Sequence, residues 1–263
     1  MTGFPTMPGY LDALFSLAGR TALITGASSG IGYAIAEALG RAGADLVLVA
    51  RRPEPLTAAA DRLRAHGVSA TAVSADLADP ADLARLRRDA ATHHGDIDIL
   101  VNNAANNIRR PMADLTTDDY EQTIAVNLTA PYLLGQHYGP RMADRGWGRI
   151  INIGSQQSIR AFGDSGAYGI AKAAITGLTR SQAEAWSRHG VTSNTIIPGF
   201  VLTPLTEPAQ AVPGRVEALA ARTMTGRNGL PTDFAGLAVL LAGPAGAFIT
   251  GQALCVDGGF SVH

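Results

Sequence analysis

Seven short runs of β-branched and apolar residues recur along this chain, at about 20–25, 45–50, 69–74, 97–101, 149–154, 191–197 and 252–256. Longer Ala-rich amphipathic stretches separate them, which predicts repeated βα units around a parallel sheet. Runs such as 97–101 and 150–153 carry apolar residues on both faces. A strand of that kind needs helices above and below it, so the predicted fold class is α/β: a doubly wound, mostly parallel, seven-stranded sheet flanked by helices. At 263 residues with 46% hydrophobic content, the chain can bury one sizeable core but is short for two α/β domains. The expected organisation is an N-terminal extension over 1–19 and a single domain over 20–263. A stretch rich in Pro, Thr and Gly at about 199–228 is expected to be a lid over the site.

Composition excludes several partners. The 21 Lys and Arg nearly cancel the 22 Asp and Glu, so no overall field draws the protein to nucleic acid or to an anionic membrane. A small-molecule partner is expected instead. The first nineteen residues contain Pro5, Pro8 and Asp12 and lack a basic start followed by an apolar run, unlike a secretory leader. No charge-poor apolar stretch reaches the roughly 18 residues of a membrane span. Cys255 is the single cysteine, which rules out an intrachain disulfide framework and suits a reducing cytoplasm. Its expected role is that of a buried structural thiol.

The segment Thr25-Gly26-Ala27-Ser28-Ser29-Gly30-Ile31-Gly32 follows the first strand and opens an Ala-rich helix. A turn without Cβ atoms lets the backbone approach a pyrophosphate, and the free N–H groups at the helix start favour its charge. Gly26, Ser28, Ser29, Gly30, Ile31 and Gly32 are therefore candidate cofactor contacts, although a tight connection alone would use the same residues. The glycine spacing is three residues then one, unlike the one-then-two spacing of the standard dinucleotide fingerprint. Asp76-Leu77 ends the third strand and Asn102-Asn103-Ala104 the fourth. Both lie at carboxyl ends of strands, where open sheets bind their ligands, so Asp76, Leu77, Asn103 and Ala104 join the cofactor set. The second strand ends on Ala50 followed by Arg51 and Arg52, where an acid would otherwise bind a ribose 2′-hydroxyl. Two guanidinium groups at this point fit a 2′-phosphate and so predict NADP, the alternative being a solvated basic turn.

Tyr168 and Lys172 stand at i and i+4, on one helix face. An ammonium beside a phenol lowers the pKa of the phenol from near 10, which would let Tyr168 work as a base. Ser155 ends the fifth strand, and its hydroxyl can hold a substrate oxygen from the other side. Taken singly, a surface Ser, a half-buried Tyr and a solvated Lys are all commonplace. In sum, the residues 25–32, Asn102 to Ala104, Asn127, Ser155, Tyr168 and Lys172 resemble the ordered motif set of the short-chain dehydrogenase/reductase family, over nearly the whole chain after residue 19. The resemblance implies a Rossmann-type fold and hydride transfer between NADP and a secondary alcohol or ketone. Tyr168 would be the proton donor or acceptor, Ser155 would orient the carbonyl, and Lys172 would bind nicotinamide ribose. Asn127 would maintain a water-linked proton path, and Ile197 and Thr203, flanking Pro198-Gly199, would contact the carboxamide. The resemblance further implies no catalytic metal and a homotetramer whose interface uses the helices carrying Asn127 and Tyr168. One departure is Ala105, where the family commonly has Gly. Pro131 adds a local constraint. It lies four residues after Asn127 in a predicted helix over 117–142, cannot donate to the Asn127 carbonyl, and should bend the helix there.

A closer likeness concerns substrate. The segments Asn107-Ile108-Arg109-Arg110-Pro111, Gly154-Ser155-Gln156-Gln157-Ser158 and Arg222-Thr223-Met224-Thr225-Gly226-Arg227 resemble those of gluconate 5-dehydrogenases. A sugar acid or polyol, such as the 5-ketogluconate/gluconate pair, is the substrate this likeness implies. Arg109 or Arg110 can pair with a carboxylate, while Gln156 and Gln157 offer amides to hydroxyls and Phe200 lies beyond the sixth strand. Both arginines pointing to solvent or into a subunit contact is the alternative. A reductase of acyl-chain or cyclic ketones would instead need an apolar pocket from Phe162, Phe200, Leu202 and Leu205. A non-catalytic NADP-binding regulator or scaffold, or a lyase or epimerase, would keep the same fold. The intact Ser155, Tyr168 and Lys172 weigh against the first. The different glycine arrangement and longer C-terminal region usual in lyase and epimerase relatives weigh against the second.

Overall fold

In the computed structural model, which describes residues 9–263, the seven runs form β1 (Thr21–Thr25), β2 (Asp45–Ala50), β3 (Ala70–Ser74), β4 (Ile99–Asn102), β5 (Gly148–Ile153), β6 (Val191–Pro198) and β7 (Ala253–Val256). They make one sheet in the order β3-β2-β1-β4-β5-β6-β7, and every pairing is parallel. Chain direction across the sheet reverses between β1 and β4. A crevice therefore opens there at the carboxyl ends, because the connections leaving the two strands go to opposite faces.

Alternation along each strand builds two cores. Ala22 and Ile24 of β1, with Leu46 and Leu48 of β2, pack on one face against Ile35 and Leu39 of the helix Gly30–Arg41 and Leu241 of the helix Ala235–Ala242. Leu23, Val47 and Val49 point the other way, onto Leu83 and Leu86 of the helix Pro80–Asp89 and Leu134, Tyr138 and Met142 of the helix Ala130–Asp144. Local signals start these helices. Pro53 and Pro80 sit in the first helical turn, where the missing N–H costs nothing. The Asp79 carboxylate accepts from Ala81 and Asp82 N–H groups at 2.7 and 3.1 Å, a standard N-cap.

The predicted helix over 117–142 is more distorted than a bend. It runs as Thr117–Ile124, widens into a π turn over Ala125–Thr129, and resumes as Ala130–Asp144. The Ala130 N–H reaches back five residues to the Ala125 carbonyl. Pro131 lacks the N–H that would continue an α-helical ladder at Asn127, and the extra residue in the turn accommodates this. Three short helical pieces, Pro204–Thr206, Glu207–Gln210 and Arg215–Ala220, lie within the stretch 199–228. Residues 1–8 of the expected extension lie outside the described residues. Its last part is integral to the fold: Leu17 is buried in the first core, and its N–H donates to the Ala42 carbonyl at 2.8 Å.

One expectation is overturned. Cys255 is exposed, not a buried structural thiol. It lies on β7, an edge strand whose residues Ala253 and Cys255 face away from the core. Among the described residues, no helix is long and apolar enough to cross a membrane.

Candidate active site

The crevice between β1 and β4 is tied by one hydroxyl. Thr25 Oγ1 accepts from the Asn103 and Ala104 N–H groups, both at 3.0 Å, and donates to the Val101 carbonyl at 3.3 Å. The Asn103 amide donates to the Thr25 and Gly26 carbonyls at 3.0 and 3.2 Å. Asn103, expected to contact cofactor, thus spends its amide on holding the glycine turn against β4. That close approach requires glycine. At Gly26 the backbone is left-handed (φ +66°), and an added Cβ would lie 2.9 Å from Ala104 Cα; at Gly32 it would lie 2.4 Å from the Gly26 carbonyl oxygen. Ser29 begins the helix Gly30–Arg41 in extended conformation and no side chain caps it. Its first N–H groups are thereby left for a ligand, and the cradle suits a pyrophosphate.

Two cavities flank this turn. The first, about 370 Å³, takes in Gly26, Ser28, Arg51, Arg52, Asp76 and Leu77, with Ala104 at its inner end. Arg51 is largely exposed and its nearest carboxylate partner is Asp76, at 3.9 Å, long enough that a phosphate can compete for the guanidinium. β2 ends on Ala50 and Arg51 and Arg52 follow directly, so no carboxylate stands at the strand end to repel such a group. The residues present therefore fit a dinucleotide that carries a 2′-phosphate.

The second cavity, about 190 Å³, brings together Ser155, Tyr168 and Lys172 with Ile31, Asn103, Arg109, Gln156, Gln157, Pro198, Gly199, Phe200 and Thr203. Ala105 lines both cavities and joins them. Of the other expected residues, Gly30 abuts Thr203, 3.2 Å from an added Cβ to Thr203 Cγ2, and Asn127 is wholly buried in the π turn. The Asn127 amide donates to the Asn106 carbonyl and Oδ1 at 2.9 and 2.6 Å and to the Thr123 carbonyl at 2.9 Å. The π turn is thus latched to the segment that follows β4. Leu202 and Arg110 do not line the cavity; Arg110 instead pairs with Asp119 at 3.2 Å.

Residues 26–261 match a short-chain dehydrogenase model described as enoyl-(acyl carrier protein) reductase. The chain belongs to the short-chain dehydrogenase/reductase family. It is 38% identical over 253 residues to gluconate 5-dehydrogenase of Gluconobacter oxydans, covering 95% of this chain and 97% of that protein. It is 34% identical over 255 residues to a tropinone reductase homolog of Arabidopsis thaliana, covering 96% of each. Among solved structures it resembles a gluconate 5-dehydrogenase from Burkholderia cenocepacia in complex with NADP and tartrate, with TM-score 0.91, 35% identity and coverage of 97% and 100%. As a short-chain dehydrogenase/reductase, the chain is an oxidoreductase acting on CH–OH groups.

Electrostatics at the reacting end differ from expectation. Burial pushes the Tyr168 phenol up to about 12, with the Ser155 hydroxyl pulling the other way, and Lys172 is not among the causes. Near neutral pH the buried Tyr168 phenol is therefore protonated. Lys172 is buried beneath it, 5.6 Å from the ring centroid, and donates to the Ile153 carbonyl at 2.8 Å. Desolvation brings the ammonium of Lys172 down to about 8, since an apolar surrounding disfavours the charged form.

Substrate-side polarity comes from groups left unpaired. Gln156 Nε2, Gln157 Oε1 and Asn107 Oδ1 are buried without a hydrogen-bond partner, and all three residues line the second cavity. Three amide side chains thus line one cavity, where they offer donors and acceptors to a polar ligand. Asn107 was legible only as part of a segment likeness. Arg215, from the short helix Arg215–Ala220, was missed; it lines the cavity and enters from a region without strand or long-helix periodicity. Arg109 lines the cavity too, but its guanidinium donates to the Gly163 carbonyl at 2.6 Å.

Proposed function

We propose that this chain is an NADP-dependent oxidoreductase interconverting a ketone and a secondary alcohol on a sugar acid or polyol, with 5-ketogluconate and gluconate the leading pair. The observation that carries the substrate class is the polar lining of the cavity that holds Tyr168, where the amides of Asn107, Gln156 and Gln157 stand with Arg109 and Arg215. A polyhydroxylated substrate offers each of them a partner, whereas an apolar ketone would leave them buried and unpaired. The likeness to gluconate 5-dehydrogenases of Gluconobacter oxydans and Burkholderia cenocepacia, the latter holding NADP, supports both substrate and cofactor.

Bound NADPH supplies the hydride. Gly26, Ser28 to Gly32, Arg51, Arg52, Asp76, Leu77 and Ala104 hold its phosphate and adenosine end. Asn103 keeps the turn in place for them, and Pro198, Gly199 and Thr203 close the nicotinamide end. Ser155 orients the substrate carbonyl. Tyr168, protonated because it is buried, gives its phenolic proton to the carbonyl oxygen as that oxygen gains charge. Lys172 then compensates the phenolate and holds a ribose hydroxyl. Asn127, latched to Asn106, keeps the π turn open along the path by which a proton returns. The carboxylate is met by Arg109 with Arg215, and residues 199–228 act as a lid. Exposed Tyr120, Tyr132 and Ile170 on the helices carrying Asn127 and Tyr168 support a homotetramer. A cytoplasmic setting accords with the exposed thiol of Cys255. A reductase of cyclic or acyl-chain ketones is the second reading, favoured by Phe162, Phe200, Leu205 and Leu219 among the residues that line the cavity.

Steady-state kinetics with NADPH and NADH on 5-ketogluconate, neutral keto sugars and apolar ketones test this. NADPH oxidation with a keto sugar acid is expected, and Ala50→Asp with Arg51→Ser should reverse the cofactor preference. Turnover of apolar ketones alone would overturn the substrate reading, and equal use of both cofactors by the unmodified protein would overturn the role of the arginines.

A further inference from the structure

A third cavity, about 240 Å³, lies at the opposite end of the sheet from the active site. It is lined by Arg87 and Arg88 of the helix Pro80–Asp89, by His137, Tyr138 and Arg141 of the helix Ala130–Asp144, and by Asp96, Ile97 and Arg145. Ile97 precedes β4 and Arg145 precedes β5, so the cavity opens at amino ends of strands, whereas the dinucleotide crevice opens at carboxyl ends. Four arginines converge on it against one carboxylate, in a chain whose net charge is −1.

The arginines are not equivalent. Arg145 is committed, to Asp96 at 3.4 Å and to Asp98 and the Ile97 carbonyl at 3.3 and 2.8 Å. Arg87, Arg88 and Arg141 make no salt bridge among the described residues, and Arg141 donates only to His137 of its own helix. The second observation is Tyr138. Its ring is packed in the core at 2% exposure, yet its hydroxyl is buried without any hydrogen-bond partner. A buried orphan hydroxyl is costly, and a Phe at this position would serve the packing equally well. Arg87 and Arg141 stand close enough to act electrostatically on both Tyr138 and His137. Guanidinium groups and a phenol are all hydrogen-bond donors, and the one acid in the wall is already engaged. The group that would meet these donors together is an acceptor with several oxygens and more than one negative charge.

We propose that this cavity is an oxyanion site, separate from the dinucleotide crevice, in which Arg87, Arg141 and the Tyr138 hydroxyl hold orthophosphate or the phosphate of a small monoester. Tetrahedral oxygens can take a donor from each of these residues at once, and Arg is the side chain whose planar fork suits that geometry.

Thermal unfolding and calorimetric titration of the full chain with orthophosphate, saturated with NADP and compared with chloride at equal ionic strength, test the proposal. Saturation with NADP removes the competing claim of Arg51 and Arg52 on phosphate. Saturable stabilisation is expected for the unmodified chain, and Arg87→Gln with Arg141→Gln should weaken phosphate about tenfold or more, as the loss of charged hydrogen bonds implies. Tyr138→Phe should keep its Tm in chloride, since no partner is lost, and lose part of the response to phosphate. Glucose 6-phosphate and glucose as parallel titrants separate a phosphate monoester from a sugar. No saturable response by the unmodified chain, or an equal response from the Arg87→Gln Arg141→Gln variant, overturns the site.

Discussion

The two ends of the sheet are built to opposite rules. At the amino end, outside the third cavity, the buried strong polar groups around Asp98 and Arg149 have partners. Asp98 accepts from the Thr21 N–H at 3.2 Å and from Arg145 at 3.3 Å, with Arg20 at 3.8 Å. Arg149, buried at 3% exposure, donates to the carbonyls of Gly148, Gly190 and Gly243, and its guanidinium and that of Arg20 both lie over the Trp147 ring. At the carboxyl end, helix Gly30–Arg41 has no side-chain cap, Asn107, Gln156 and Gln157 keep unpaired polar atoms, and a buried lysine lies under a buried phenol. Satisfied groups contribute to stability, whereas groups held unsatisfied lower it and gain their partners only when ligand binds. The amino end should thus control unfolding and the carboxyl end turnover. The exceptions at the amino end are Tyr138, whose hydroxyl is orphaned, and Arg87, Arg88 and Arg141, which lack a carboxylate among the described residues; together they single out the third cavity there.

Substitutions at the two ends can break this division. The largest effect is expected for Tyr168→Phe, which removes the proton donor. Its kcat should fall by roughly 10²–10⁴-fold while NADPH affinity and Tm hold. Near-unmodified turnover would remove Tyr168 from the chemistry.

Next is the buried ammonium. Lys172 titrates at about 8 in the fold against 10.5 when unperturbed, so between those values the unfolded chain binds the extra proton and stability rises with pH. The gain across that window is on the order of 3 kcal/mol at about 1.4 kcal/mol per pH unit. Tyr168 acts in the opposite sense, but only above 10, because its folded value is about 12. Unfolding measured from pH 7.5 to 10 should show the unmodified chain gaining on Lys172→Met. Parallel curves would mean that the ammonium is not desolvated.

Asp98→Ala tests the amino end. It strips the Thr21 N–H and two arginines of their acceptor and should cost about 2 kcal/mol in denaturant unfolding, with kcat and KM unchanged. A kinetic effect without a loss of stability would erase the contrast between the ends. The smallest effect is expected for Gln156→Leu, which removes an orphan donor. KM for a keto sugar acid should rise about tenfold, as for one hydrogen bond lost to substrate, and stability without ligand should stay level or rise. Destabilisation instead would show that Gln156 is paired in the free enzyme.

Much of the architecture was legible because its signals are local. Each of the seven strands lies within two residues of its expected bounds, since a β-branched run between Gly, Pro or Asp punctuation is a property of five or six neighbours. Ser155, Tyr168 and Lys172 were legible too, as strand end and helix face determine where such side chains point. The substrate residues were less so. Of the two arginines expected to pair with a carboxylate, Arg109 lines the cavity while also donating to Gly163, 54 residues away, and Arg110 pairs with Asp119; Arg215 joins from a stretch with no periodicity to read.

What the sequence by itself determined is the order of elements, the glycine turn with the arginines after β2, and the placing of Ser155, Tyr168 and Lys172 at one cavity. Only the tertiary structure decided which of those groups are hydrated and which are not. Cys255 is exposed because β7 is an edge strand, and the Tyr168 phenol is raised because the elements around it exclude water. Asn102, Asn152, Thr179, Gln182 and Thr195, scattered over 94 positions, form one buried hydrogen-bonded network. Desolvation depends on every chain segment that packs around a group, so pattern along the sequence can place a side chain on a face without saying what that face will meet.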